Sequence, residues 1–177
     1  TATGWASATV ASGRTTVEYG LVRPGDLRGP ERLAEISVTL RGICEGATLV
    51  IIEGYAFGSG GSSKSGDGAF ARAHSLGEVG GVVKTMLWHQ RHRVAIAPPA
   101  TLKRYATGKG NARKDLVYGE AIRRLGYNGS DHNEADALWL AAMGLDRLGV
   151  PLVSVPAAHR TGLGGVDWPD LDQLDVD

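Results

Sequence analysis

The sequence predicts one α/β domain, and three observations predict it. Two β-like runs near the start are joined by a turn, two later apolar and β-branched runs read as buried strands, and segments with helical spacing alternate with them. Strands alternating with helices give this class because each connecting helix must cover a sheet face.

The elements follow in order. Residues 4–11 (GWASATVA) and 15–22 (TTVEYGLV) read as strands, and Ser12-Gly13 between them makes a hairpin turn. Pro24-Gly25 breaks the pattern, and Pro30 suits a first helical turn. Leu33, Ile36, Leu40 and Ile43 recur at helical spacing and place a helix at about 30–45. Cys44 adjoins that stripe, and as the single cysteine it excludes an intrachain disulfide and reads as a buried, inert thiol. Residues 48–52 (TLVII) form a continuous apolar run of the kind covered on both faces, ending at Glu53. The Gly/Ser-rich GYAFGSGGSSKSGDG that follows reads as a mobile loop. A long helix at about 69–90 and a strand at 93–97 come next, the latter stopped by Pro98-Pro99. A loop at 106–111, helices at about 112–125 and 132–147, and a short strand at 152–155 complete the domain over residues 1–155. Residues 156–177 form a C-terminal extension with an Asp-rich tail, and the chain has no internal repeat.

Composition narrows the class. Apolar content of 42% is ordinary for a globular protein, and no apolar run of about 18 residues marks a membrane span. The opening residues carry no secretory-signal pattern. Net charge is zero, which on its face argues against a nucleic-acid partner. The charges are unevenly placed, however: residues 167–177 hold five Asp and no Lys or Arg, leaving 19 basic against 14 acidic residues (19 less those five) elsewhere.

Three features carry chemistry. Glu53 stands at the C-terminal end of a buried strand, where α/β sheets place their active sites, although a solvated strand-end Glu would look the same. Asp136 lies in DHNEADALWLAAMG on the last long helix, where an ordinary first-turn Asp complementing the helix dipole is the alternative. Around it, Asp131 followed by Glu134 fits a capping-box-like pairing, and His132 shares the face of Asp136. Third, residues 100–117 (ATLKRYATGKGNARKDLV) gather Lys103, Arg104, Lys109, Arg113 and Lys114 with no acidic residue before Asp115. A basic, Gly-containing loop that opens a helix is a phosphate site, because its backbone amides and the helix dipole both favour an anion.

Taken in order, these pieces resemble the RuvC family of Holliday-junction resolvases. Thr3-Gly4-Trp5-Ala6 is similar to the end of that family's opening motif, Ile52-Glu53 to its second carboxylate, and Leu76-Gly77-Glu78 with Gly80-Gly81 to its LGxxxG helix. Lys103 through Lys114 resembles its VK…TGxGxAxK segment, and Asp136-Ala137-Leu138 its terminal helix motif. The resemblance runs from Thr3 to about Met143 and is nearer to compact phage-encoded relatives, whose setting is the cytoplasm of a bacterial host. It implies an RNase H-like fold, a mixed central sheet flanked by helices, with its first strand and first carboxylate preceding Thr1 by about four residues. It also departs from the family three residues before the last Asp, where an acidic residue or His is usual and Asn133 stands here.

The resemblance implies a divalent-metal-dependent DNA endonuclease that makes paired symmetric nicks in four-way junctions during recombination. Mg²⁺ or Mn²⁺ would be held by Glu53, Asp136 and the upstream Asp, with Asp131 or His132 completing the set and Lys114 stabilising phosphate charge. Lys103, Arg104, Lys109 and Arg113 would grip the DNA backbone, and Tyr55 and Phe57 would stack on unpaired bases. A homodimer through the helix at about 69–90 would supply two sites to a two-fold junction. Rival readings are a non-catalytic module that binds branched DNA and another structure-selective nuclease on the same fold. Weaker still are a nucleotide loop at Gly58–Ser65, where Ser63 replaces a required Gly, and a zinc pair at His89 and His92.

Overall fold

The computed structural model describes residues 2–54 and 67–171 of the 177-residue chain. It opens with an antiparallel hairpin of β1 (Thr3–Ala11) and β2 (Arg14–Val22), paired without interruption from Thr3↔Val22 to Ala11↔Arg14. Ser12 (φ 51°) and Gly13 (φ 74°) are both left-handed, the turn whose twist matches that of the strands it joins. Helix α1 (Gly29–Ile43) follows with Pro30 in its first turn. Strand β3 (Val50–Glu53) pairs in parallel with β4 (Val94–Ala97), and helix α2 (Asp67–His89) lies between them in the chain. Then come α3 (Pro99–Thr107), α4 (Lys114–Leu125), α5 (His132–Arg147), the short α6 (Ala157–Arg160) and a 3₁₀ turn at Thr161–Gly165.

The strands separate two cores, and side-chain alternation along a strand does the sorting. Trp5, Val50, Ile52 and Val94 pack with Val22 of β2 and with Ile36, Leu40, Val83, Met86 and Leu87 of the α1/α2 layer. Their neighbours Ala6, Leu49, Ile51, Ala95 and Ala97 pack with Tyr105, Leu138, Trp139 and Met143 on the opposite side. Trp139 is fully buried, donates its indole N–H to the Val117 carbonyl at 3.2 Å and meets Tyr105 edge-on at 5.9 Å.

Helix α3 was not foreseen from the sequence, which stops at Pro98-Pro99 and resumes with a helix at about 112. Pro99 ends the strand and also opens a helix, because its missing N–H costs nothing in a first turn. Leu102, Tyr105 and Ala106 then form its buried face, and Gly108 closes it at φ 79°. The next helix accordingly begins at Lys114. The expected strand at 152–155 is also absent: Val155 is buried, but the segment pairs with no strand and lies between Pro151 and Pro156, which have no N–H to give a ladder. The chain returns instead through α6, and Ile96 and Asp167 exchange both backbone hydrogen bonds at 2.9 and 3.0 Å.

Among the described residues the strands form an antiparallel pair and a parallel pair with no ladder joining them. Between β1 and β3 lies a slot of about 950 Å³, walled by Val79, Val83 and Leu87 of α2 and by Asp136, Leu140 and Gly144 of α5. Its two edges run in opposite directions. Gly4, at the start of β1, meets the first turn of α5 at Asn133, whereas Ile51 of β3 meets the last turns at Gly144, and Glu53 at the strand's end comes within electrostatic reach of Asp136.

The close approach of β1 to α5 needs Gly4, since a Cβ there would overlap the Asn133 carbonyl. Gly4→Ala is therefore expected to destabilise the fold by about 1–3 kcal/mol, the range for overpacking. An unchanged melting temperature would show that this approach is dispensable.

Candidate metal centre and nucleic-acid face

Glu53 is the last residue of β3, opposite Ala97 of β4, and the following Gly54 N–H donates to the Ala97 carbonyl at 2.8 Å, fixing the strand's end. Asp136 stands one turn into α5, half-buried between fully buried Ala135 and Leu138. Both line the same end of the slot, together with Asn133. Burial raises the Glu53 carboxyl above the usual range, the charge of Asp136 raises it further, and Lys114 and Lys103 oppose both. Burial also raises Asp136, against the pull of Lys114, His132 and Lys103. Two carboxylates and two lysines thus share one electrostatic neighbourhood, built from β3, α5, α3 and α4. Such a cluster can hold a hard cation on its carboxylates and present ammonium groups to an anion beside it.

The remaining sequence candidates are placed differently. Asp131 caps α5: one carboxylate oxygen accepts the Asn133 N–H at 2.8 Å and the other faces Arg23 at 3.5 Å. His132 lies 4.0 Å from Asp115 and packs on the Tyr118 ring at 4.8 Å, with only its charge reaching Asp136. Among the described residues no three His, Cys, Asp or Glu side chains gather as a metal-binding set. Asn133, left open in the sequence, is the polar neighbour that shares the slot with Asp136.

Arg104, Lys109, Arg113 and Lys114 are exposed, whereas Lys103 is half-buried beside the carboxylates. Lys103 is thus placed by α3. The TGKGN stretch is a pinned turn. The Thr107 hydroxyl donates to the Lys103 carbonyl at 2.7 Å and accepts the Lys109 N–H at 3.2 Å, while the Gly108 N–H donates to the Arg104 carbonyl at 2.8 Å. His159 of α6 backs the turn, with Nδ1 3.2 Å from the Tyr105 carbonyl and its ring against Gly108. Tyr55, Phe57 and the Gly58–Ser65 loop lie outside the described residues. His89 packs edge-on against Trp88 at 5.1 Å, with no third zinc ligand among the described residues. Cys44 caps α1 half-buried, and burial pushes its thiol up, in keeping with an inert role.

No protein-family model matches the chain, and no curated protein matches it. Solved structures do. A Thermus thermophilus RuvC structure superposes with a TM-score of 0.59 at 19% identity, covering 83% of this chain and 90% of that one. T. thermophilus RuvC in complex with Holliday junction substrate gives 0.60 at 17% identity, covering 85% and 91%. Fold and site together define a mixed α/β protein with a carboxylate–lysine cluster at the end of a parallel strand pair. Its fold is that of RuvC, a likeness of architecture at these identities.

Proposed function

We propose that this protein is a divalent-metal-dependent endonuclease that nicks four-way DNA junctions. The observation that carries the reading is the pairing of Glu53 and Asp136 in the slot, within electrostatic reach of Lys103 and Lys114, on a RuvC-like fold. The donor set fits Mg²⁺ or Mn²⁺, since both groups offer hard carboxylate oxygens. Bound there, such an ion would offset phosphate charge and make water a better nucleophile. Glu53 and Asp136 hold it. Lys114 and Lys103 stabilise charge on the phosphate, and Arg104, Lys109 and Arg113 grip the backbone from the exposed face, a sequence-independent task.

In this reading a further strand fills the slot and completes the sheet. Because β1 and β3 run oppositely, one strand in the slot can be antiparallel to β1 and parallel to β3. It would end beside Glu53 and Asp136, where it would deliver a third carboxylate. The exposed α1/α2 face, with a groove lined by Leu33, Val82 and Met86 and with Trp88 74% exposed, supports a homodimer that sets two sites on one junction. Among the described residues no helix is long and apolar enough to cross a membrane, and we place the protein's work in the cytoplasm of a bacterial host.

A second reading, a junction-binding module without catalysis, is favoured by the gathering of only two carboxylates among the described residues. Labelled four-way junction, flap and linear duplex, incubated with Mg²⁺ and protein that carries the completing strand, separate the cases. Paired symmetric nicks in the junction are expected. Tight junction binding without nicks would favour the module, and cutting of flaps alone would favour another structure-selective nuclease.

A further inference from the structure

The first turn of α5 carries Asn133 and leads directly to Asp136, so whatever fixes that turn fixes the second carboxylate. The linker Tyr127–Asp131 enters it, and three tyrosine hydroxyls from different parts of the chain converge there. Tyr19 of β2 donates to the Asn128 side chain, Tyr118 of α4 donates to the Gly129 carbonyl at 3.0 Å, and Tyr127 comes from the linker itself. The rings abut in sequence: Tyr19 and Tyr127 at 5.2 Å, Tyr127 and Tyr118 at 5.6 Å, Tyr118 and His132 at 4.8 Å.

Tyr127, 2% exposed, is the centre of this arrangement. In an ordinary capping box the residue at the third helical position bonds back to the N-cap N–H. Here Asp131 is the N-cap and Glu134 that third residue, but a tyrosine hydroxyl stands between them. The Asp131 N–H donates to Tyr127 Oη at 3.0 Å, and the hydroxyl lies 2.7 Å from Glu134 Oε2 and 2.8 Å from the Asp131 carbonyl. Having one proton, it donates to one of these two while accepting from the amide. The N-cap bond itself is direct, from the N–H of Asn133 at the second helical position to Asp131 Oδ1 at 2.8 Å. Gly129 leaves room for the relay, since a Cβ there would overlap both the Tyr127 hydroxyl and the Glu134 carboxylate.

We propose that Tyr127 is a positioning residue for the Glu53–Asp136 pair, acting through this relayed capping box, which sets the height and rotation of the first turn of α5. The proposal rests on the reading of Asp136 as a metal-holding carboxylate. Tyr127 touches neither carboxylate of the pair by any bond described above. Its effect is carried by the helix.

The test compares Tyr127→Phe with wild type in protein that carries the completing strand, using Mn²⁺ binding followed by electron paramagnetic resonance, kcat and KM on a four-way junction, and amide exchange at Asp131 and Asn133. Loss of a group that hydrogen-bonds a metal ligand costs about 10–100-fold in metal affinity or activity, and Tyr127, acting one step further out, belongs at the lower end. Tyr127→Phe is expected to keep its far-UV spectrum, speed exchange at Asp131 and weaken Mn²⁺ by about tenfold. Its kcat should fall with KM unchanged, because the DNA-gripping side chains lie elsewhere. Glu134→Leu removes the acceptor and leaves the ring, so it should move Mn²⁺ affinity in the same direction if Tyr127→Phe folds poorly, while Glu134→Gln restores it. Lower thermal stability with wild-type Mn²⁺ affinity and kcat in both variants would overturn the proposal. A tenfold loss of Mn²⁺ affinity in a protein that cuts no junction would support the positioning role and overturn the resolvase reading. Wild type that binds no Mn²⁺ would overturn both.

Discussion

Asp136→Asn is expected to abolish junction nicking and, at the same time, to raise the melting temperature of the metal-free protein. The two effects have one cause. Burial raises the Asp136 carboxyl, and Lys114, His132 and Lys103 only partly offset it. A carboxyl whose folded pKa exceeds its unfolded value favours folding fully below the unfolded pKa, and that contribution is lost as pH rises through the folded pKa. At pH 7–8 the charged form therefore costs stability, and Asn removes the cost. The expected gain in EDTA is about 2–4 °C, the shift that about 1 kcal/mol gives in a chain of this size. It should shrink as pH falls into the carboxylate range. Added Mg²⁺ should reverse the order, because an ion that binds only the folded wild type stabilises it by mass action. Nicking should fall by more than the ~100-fold that loss of an outer-shell partner costs. Glu53→Gln should lose activity equally and gain less stability, being more exposed. A variant that melts with wild type in EDTA and still nicks would remove Asp136 from the site.

The largest stability effect away from the site is expected at Arg160. Its Nε and Nη2 bind the Asp146 carboxylate at 3.0 and 2.6 Å, and Tyr105 Oη donates to the same carboxylate at 2.9 Å. The Asp146 side chain is 2% exposed and that of Arg160 55%. Burial, and then Asp146 itself, push the Tyr105 phenol far up, so it stays a donor. Arg160→Met would leave a buried carboxylate with the tyrosine alone. Breaking such a pair costs about 3–5 kcal/mol, and the half-exposed guanidinium argues for the lower end. Thermal unfolding should therefore drop by about 6–12 °C. The double change with Asp146→Asn should cost less than the sum, since the stranded charge is gone. Because α6 also carries His159 against the Gly108 turn, Arg160→Met should weaken junction binding through Lys109 as well. A melting temperature within about 1 °C of wild type would show that this pair does not anchor the C-terminal segment.

Much of this protein is determined by short-range pattern. Ser12-Gly13 sets the hairpin because both residues must be left-handed. The period-3.6 stripe of Leu33, Ile36, Leu40 and Ile43 sets α1, and the apolar runs ending at Glu53 and Pro98 set β3 and β4 within about two residues. The capping relation of Asp131 and Glu134 was legible too, but not the hydroxyl between them, since nothing local distinguishes Tyr127 from another core aromatic. Only tertiary packing decided the rest. Helix α3 is short and begins at a proline that also ends a strand, so local signals conflict, and its burial against α5 and the Thr161–Gly165 turn settles the matter. Local pattern puts Lys103 in a basic stretch, and only the packing of α3 brings its charge within reach of the two carboxylates. The roles of Asp131 and Asn133 were separated by where α5 lies against β1, and the slot by two sheet edges distant in the chain. Asp146 gains its partner only because α6 folds back to bring Arg160 to it. Local sequence fixes which residues share a strand or a helix face. Which faces meet, and hence which charges gather at Glu53 and Asp136, depends on packing between segments that no short-range pattern encodes.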